Sequence, residues 1–363
     1  MAINTQSILS TLETKIASMD SNTPLDDMIV NIKSYQEVGG VVSIQYDSSG
    51  AMPILDSAQA GLVLYSASDT ALYTFNGNAW AAVGNIAAAG DAGGGAGGGP
   101  VSWTVDLSNA SYDNVSFSVS SQDSGPHDIA FNSDGTKMYM VGIGSSTVYQ
   151  YTLSTGFDLS TASYDSVSFS MSSQDSAVSG IAFNSDGTKM YMVGYTNDSI
   201  HQYSLSTGFD VSTASYDSVS FSVSSQELVP TGLAFNTDGT KMYISGNNST
   251  RIYQYTLSTG FDLSTASYDS VNFNVFSVES SPYSLAFNTD GTKIYLVGRQ
   301  YDRVQQYSLS TGFDLSTISY DSVDFSVKSQ DDDPAGLVFS SDGTKMYMCG
   351  VATDTVYQYS TGL

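Results

Sequence analysis

Short runs of alternating or continuous apolar residues, each about five to nine long, fill the chain from about residue 101 onward. In one stretch they read "GIAFN", "KMYMVG", "SIHQYSLS" and "YDSVSFSMS", separated by Gly-, Asp- and Ser-rich segments. This pattern predicts four short strands joined by turns. The set recurs at a fixed step of 52 residues: "YDSVSFS" and its variants begin at Tyr112, Tyr164, Tyr216, Tyr268 and Tyr320. Four antiparallel strands in a unit of roughly 40–50 residues are the sequence signature of a β-propeller blade. The predicted fold is therefore all-β, a five-bladed propeller over 101–363. The chain ends on a third strand, "VYQYSTGL", while "VDLSNASYDNVSFSVSSQ" (105–122) supplies a fourth strand with no partners before it. The early strand is expected to complete the last blade and close the ring, leaving no open sheet edge.

Ahead of the repeats the pattern changes. "AAAGDAGGGAGGGP" (87–100) has almost no side chains to pack and is expected to be a flexible linker. In the first 40 residues, Leu9, Leu12, Ile16 and Met19 form one helical face. "TPLDDMIVNIKSYQEV" (23–38) has Thr23 as cap and Pro24 at the first helical position, with Leu25, Met28, Ile29 and Ile32 on one side. Such short amphipathic helices bury little alone, so residues 1–40 are expected to be an oligomerisation or attachment segment. Residues 41–86 form a small β region in which "ALYTF" and "AWAAV" pair as a hairpin through "NGN".

Charge changes the functional picture. The 36 Asp and Glu against 11 Lys and Arg give a formal net charge of -25, which argues against nucleic acid as a ligand. Much of the acidity is repetition. Each unit carries an Asp-Gly aspartate (Asp134, Asp186, Asp238, Asp290, Asp342), and two more from "FDLSTASYDS", such as Asp158 and Asp165. Asp-Gly between strands predicts a type I′ hairpin turn, with positive φ at both central residues. The lysines that follow (Lys137, Lys189, Lys241, Lys293, Lys345) are expected to make weak surface pairs. The one cysteine, Cys349, excludes an internal disulfide and sits where valine stands in sister units, as a small buried hydrophobe. No run approaches the roughly 18 apolar residues of a membrane span, and the start lacks a basic and apolar leader, so synthesis in a cytoplasm is expected.

Candidate chemistry is sparse. Asp123, Asp175, Glu227, Glu279 and Asp331 recur in the blade-to-blade links, either as a ring of carboxylates around a channel mouth that would attract a cation or as solvated loop acids. His201 occupies a slot filled elsewhere by Tyr149, Tyr253, Gln305 and Tyr357; His127 occupies a variable link slot. Neither is expected to serve a metal or a reaction. Glycoside hydrolases on five-bladed propellers need two carboxylates across a central funnel, yet the inner strands offer only Asp128. No catalytic, cofactor or metal residues are therefore assigned, and no enzymatic activity is expected. The links and the second-to-third-strand loops vary between units, while the other end of the ring stays constant. Variable loops on a rigid scaffold are where recognition is built. The candidate recognition residues are Asp123, His127, Asp175, Tyr195, Glu227, Arg251, Glu279, Tyr283, Tyr301 and Asp331.

The repeat "SDGTKMYMVG…VYQYTLSTGFDLSTASYDSVSFSVSSQ" resembles propeller repeats of tailed-phage structural proteins, of a marine or cyanophage-like kind, and of bacterial surface proteins. "MAINTQSILSTLETKIASM" and "ALYTFNGNAWAAV" are similar in style to phage virion proteins. The resemblance implies a virion component, a fibre, spike or capsid decoration, assembled in the host cytoplasm. Residues 1–86 would bind other virion proteins as a homo-oligomer, with a trimer favoured, and the propeller would face a host-surface glycan. The alternatives are a bacterial surface or secreted lectin-like propeller and, third, a glycoside hydrolase. The resemblance carries no site motif.

Overall fold

The computed structural model describes residues 103–363 and, nearer the N-terminus, five strands: β1 (Tyr35–Val38), β2 (Val41–Tyr46), β3 (Val63–Ser66), β4 (Ala71–Phe75) and β5 (Trp80–Asn85). These five form one sheet in chain order, with β2 and β3 parallel and the other neighbours antiparallel. The expected hairpin is present, with Phe75 opposite Trp80. The helix expected over 23–38 fails across its last four residues, which pair as β1 with β2. Pairing of these residues with β2 outweighs a weak helical stripe. The other helical expectations and the glycine linker lie outside the described residues.

Residues 103–363 form a second unit, a five-bladed propeller with four antiparallel strands per blade. In the first blade these are β7 (Pro126–Phe131), β8 (Lys137–Gly142), β9 (Thr147–Leu153) and β10 (Ala162–Ser170), numbered from the inner strand outward. The pattern follows burial. The second strands, such as "KMYMVG", are buried along almost their whole length, because both faces pack on neighbouring blades. The fourth strands alternate exposed and half-buried positions. Five apolar clusters form among the described residues, each joining two neighbouring blades. One joins Ile129, Met138, Met140 and Tyr151 to Tyr347, Cys349 and Val356 of the last blade. A buried tyrosine on each second strand also reaches across: the Tyr139 hydroxyl donates to the Phe209 carbonyl at 2.5 Å.

The ring closes as the sequence predicts. Strand β6 (Ser111–Ser118) pairs antiparallel with the last strand, β25 (Thr355–Ser360), with Phe117 opposite Val356. The segment before β6 is pinned as well. The Leu107 amide donates to Gln306 Oε1 at 3.0 Å, and the Tyr295 hydroxyl donates to the Val105 carbonyl at 2.8 Å.

The Asp-Gly hairpin is present, but its turn is not type I′. Only the glycine has positive φ (Gly135 at 71°), and the Gly135 amide donates to the Asn132 carbonyl at 3.1 Å. Asp134 stays at negative φ because its carboxylate does the turning. Asp134 Oδ1 accepts from the Thr136 amide at 2.9 Å and the Thr136 hydroxyl at 2.6 Å. The ring of Phe157 covers Gly135 so closely that a Cβ there would lie 2.4 Å from it; Trp103 covers Gly343 the same way in the last blade.

The repeated lysines are not weak surface pairs. Lys137 Nζ bonds Asp165 Oδ2 at 2.7 Å and Thr152 Oγ1 at 2.6 Å, with the aspartate side chain only 15% exposed. A β-bulge between Tyr164 and Val167, with Ser166 at φ 58°, turns Asp165 toward the lysine. Gln150 completes the network. Its Nε2 donates to Asp165 at 2.9 Å, and its Oε1 accepts the Val211 amide of the next blade at 3.1 Å. Burial pushes the Asp165 carboxyl up, but the hydrogen bonds from Lys137, Thr152 and Gln150 outweigh it and hold it below its ordinary value. So Asp165 and its four counterparts are half-buried ion-pair partners, each held by a lysine of the second strand.

Candidate functional site

The link acids do not ring a channel mouth. Asp123, Asp175, Glu227, Glu279 and Asp331 are 0–4% exposed, and their carboxylates are spent on backbone. Asp123 accepts from the amides of Gly125 (2.8 Å), Gly144 (3.2 Å) and Ser145 (2.9 Å), and from the Ser145 hydroxyl (2.6 Å). Asp175, Glu227 and Asp331 repeat the arrangement with their own loops. Each acid fastens the second-to-third-strand loop of the following blade to the link. The glycine that ends each second strand leaves the necessary room: a Cβ at Gly142 would sit 2.4 Å from the Asp123 carboxyl carbon. Neither sequence-based reading of these acids, cation ring or solvated loop, describes them. Glu279 likewise accepts from the amides of Ser281 (2.8 Å) and Gln300 (3.2 Å), and differs in also taking Gln305 Nε2 at 3.2 Å.

The axis is where the repeat breaks. Five equivalent positions on the inner strands carry Asp128, Gly180, Gly232, Ser284 and Gly336. The glycines let the inner strands crowd together; a Cβ at Gly336 would lie 2.8 Å from the Asp128 Cα. Asp128 fills the remaining space, 3% exposed. Its Oδ2 accepts from the Ile181 amide at 3.0 Å, and its Oδ1 takes the Ser284 hydroxyl at 3.3 Å from across the ring. Burial pushes this carboxyl up to about 7. Thus Asp128 stays largely protonated at mildly acidic pH, inside a closed axis rather than an open funnel.

One residue earlier the equivalent slots hold His127, Ser179, Thr231, Tyr283 and Ala335. Ser179 and Thr231 only stitch blades together, donating to the carbonyls of Pro230 (2.8 Å) and Pro282 (3.0 Å). His127 and Tyr283 instead meet Arg299. The guanidinium lies 3.6 Å above the Tyr283 ring, and its Nη2 is 3.2 Å from His127 Nε2. Its Nε is 2.8 Å from Asp333 Oδ1. His127 Nδ1 lies 3.0 Å from the Gly125 carbonyl, which only an N–H can satisfy. The proton is therefore on Nδ1, and Nε2 accepts from Arg299. Burial, and then the charge of Arg299, hold His127 down at about 4, so it is neutral. Asp333 is raised, chiefly by burial; Arg299 opposes this, and the carboxylates of Asp331, Asp332 and Asp302 add to it.

This cluster joins a neutral imidazole, a guanidinium, an aromatic face and a weakly held carboxylate. Of the sequence candidates it contains His127 and Tyr283. Tyr195 is half-buried on the same loop face, Tyr301 is 51% exposed, and Arg251 bonds Asn272 on the rim. Arg299, Asp333 and Asp128 were not among the candidates. Arg299 has a visible signal, since its slot holds Ile143, Tyr195, Asn247 and Val351 in the other blades. His201 is buried beside Tyr216 and held below its ordinary value by burial. Among the described residues no three His, Cys, Asp or Glu side chains gather as a metal site. A recess of about 350 Å³ on the opposite face is lined by repeat residues, including Phe157, Asp158, Asp342 and Lys345.

Residues 101–260 match a family model described as lactonase, 7-bladed beta-propeller. The match covers less than half of the chain and ends in the third of five blades. It corrects the expectation of a protein without enzymatic activity, because these blades are similar to those of an enzyme family. No curated protein matches the chain. Among solved structures, a functionally unknown protein from Desulfotomaculum acetoxidans is 14% identical, with 62% of each chain covered and a TM-score of 0.40. The chain thus spans less than two thirds of that protein's length. A proposed 6-phosphogluconolactonase from Bacteroides uniformis is 13% identical, covering 65% of this chain and 67% of that one, with a TM-score of 0.42. Virginiamycin B lyase from Staphylococcus aureus is 12% identical over 68% and 98%, with a TM-score of 0.40.

Proposed function

We propose that the protein is a displayed propeller that captures a carbohydrate-derived ligand at the axial end of its loop face. The observation that carries this reading is the break in fivefold symmetry. Arg299, Tyr283, His127 and Asp333 converge at one point on the axis, whereas the opposite face repeats almost unchanged. The chemistry favours a sugar acid or its lactone. Tyr283 offers a ring face and His127 Nε2 an acceptor for a hydroxyl. A ligand carboxylate or lactone carbonyl would take Arg299 from Asp333, whose ionised form is already disfavoured by burial and three neighbouring acids. Calorimetric titration of the full chain with gluconate and with gluconolactone tests this. Binding that disappears in Arg299→Ala supports the site, and no binding of either compound by the wild-type protein refutes it.

The match to the lactonase family favours a second reading, hydrolysis of the bound lactone. Water would add to the carbonyl carbon while its proton passes to His127 Nε2. The ring C–O bond would then break, with the proton returned to the departing alkoxide. Acid release from gluconolactone, followed at constant pH, must then fall to the uncatalysed rate in His127→Asn.

The setting we infer is the virion of a tailed phage, with residues 1–86 as an oligomeric base bound to other virion proteins. The support is the resemblance of the repeats and of the N-terminal segments. Mass analysis of purified particles from the source should find the chain, and sedimentation of the full chain should give a trimer. Detection of the chain among proteins exported by a bacterium would favour the bacterial surface alternative.

A further inference from the structure

Outside the axial cluster, departures from the repeat gather in one sector of the loop face. The large apolar side chains that stand exposed among the described residues are Leu228 (53%), Phe276 (62%), Tyr301 (51%) and the C-terminal Leu363. The first three lie in neighbouring loops of the third and fourth blades. Hydrogen bonds fix their order. Glu227, beside Leu228, accepts from the Asn248 and Ser249 amides at 3.0 Å each, and the Val275 amide, beside Phe276, donates to the Thr250 carbonyl at 3.0 Å. Leu228 and Phe276 therefore flank the loop 247–250. Glu279 then ties the same link to Gln300, next to Tyr301.

The sister blades show how unusual these residues are. The Phe276 slot holds Ser120, Ser172, Ser224 and Lys328; the Tyr301 slot holds Ser145, Asn197, Ser249 and Thr353. Beside them, Arg251 and Arg303 occupy one slot in adjacent blades, where the other three blades have Thr147, Ser199 and Thr355. Arg303 pairs with Asp324, but the partner of Arg251 is the amide oxygen of Asn272, not a carboxylate. Asn247, Asn248, Asn272 and Asn274 add amides along the same strip. A chain of net charge -25 thus places two rim arginines, exposed aromatic rings and a run of amides side by side.

We infer that this rim is a binding surface for an acidic polysaccharide. Arginine matches carboxylate in charge and geometry, aromatic rings cover the apolar faces of sugar rings, and asparagine bonds hydroxyls. Three separated apolar side chains fall well short of the roughly 1,200 Å² that a stable protein interface buries. The inference rests on the reading of the loop face as the recognising end, but it concerns a surface distinct from the axial cluster.

The test uses the full chain and alginate, a polyuronate, with dextran as the neutral control, at low ionic strength. A rim variant carries Arg251→Thr, Phe276→Ser, Tyr301→Ser and Arg303→Thr, residue types that the sister blades hold in those slots. Wild-type protein should be retarded by alginate and not by dextran in affinity electrophoresis. The rim variant, with an unchanged near-ultraviolet circular dichroism spectrum, should bind at least tenfold more weakly. Gluconate binding, measured in parallel by calorimetry, should be unchanged in the rim variant, which separates this surface from the axial site whichever of the two fails. Absence of alginate binding by the wild-type protein overturns the inference, as does equal binding by the rim variant. A wild-type self-association that the rim variant abolishes would also overturn it, by assigning the rim to a second copy of the chain.

Discussion

His127 and Asp128 are adjacent, buried and shifted in opposite senses, and this sets a testable pattern of stability against pH. Burial and Arg299 lower His127 from 6.5 to about 4, and burial raises Asp128 from 3.8 to about 7. Between about pH 4 and 6.5 the unfolded chain carries one proton on His127 and none on Asp128. The folded protein carries one on Asp128 and none on His127. Unfolding then moves a proton between neighbours without net uptake, and the pair adds no slope to the stability curve in this window. Removing either partner exposes the other. In Asp128→Asn only His127 remains, so stability should climb by about 3 kcal/mol relative to wild type as pH rises through the window, at about 1.4 kcal/mol per pH unit. In His127→Asn only Asp128 remains, and stability should fall by about 4 kcal/mol as pH rises from about 4 to 7. Both replacements keep a local hydrogen bond. In Asp128→Asn the new side-chain oxygen can still accept the Ile181 amide, and in His127→Asn the new side-chain amide can still donate to the Gly125 carbonyl. The assay is urea unfolding at half-unit pH steps, with wild-type values subtracted to remove the background of the other acids. Difference curves that are flat for both variants would refute the reasoning.

Three further outcomes follow from the repeats. Gly239→Ala should lose more than about 2 kcal/mol in chemical denaturation, since it combines φ 72° with a Cβ 2.3 Å from the Phe261 ring; a loss near that of an ordinary loop glycine would contradict the packing. Glu227→Ala strands the amides of Val229, Asn248 and Ser249 and should cost about 3 kcal/mol, with faster amide hydrogen exchange confined to Val229 and 247–250 as the local signature. Asp113, Asp165, Asp217, Asp269 and Asp321 are all lowered by their lysine networks, so their contribution is intact above about pH 4 and is lost as pH falls below it. Lys241→Met removes one network and should reduce the acid-induced loss seen in the wild type; an unchanged acid transition would count against this account.

The blades and their closure were legible because the 52-residue step shows every strand five times, and an orphan fourth strand has only one place to go. Details set by a side chain's choice of partner were less legible. The Asp-Gly pair signalled a hairpin, but an aspartate that bonds Thr136 needs no positive φ of its own. The link acids looked like solvent groups because nothing in the sequence shows a loop from the next blade folding over them. The axial cluster escaped for a related reason. Slot comparison marked His127 as variable and Asp128 as the sole acid on the inner strands, yet His127 and Arg299 are separated by 172 positions and meet only when the ring closes.

The clasp at β6 has a mechanical meaning. Any load arriving along the chain from residue 100 reaches first the segment that Trp103, Val105 and Leu107 anchor to the fourth and fifth blades, and only then the β6–β25 ladder. The first propeller strand to be synthesised is thus the last to find its partner, since β25 lies at the far end of the chain. Force applied at the N-terminal end of the propeller must therefore draw out the strand that finished the ring before the ring can open.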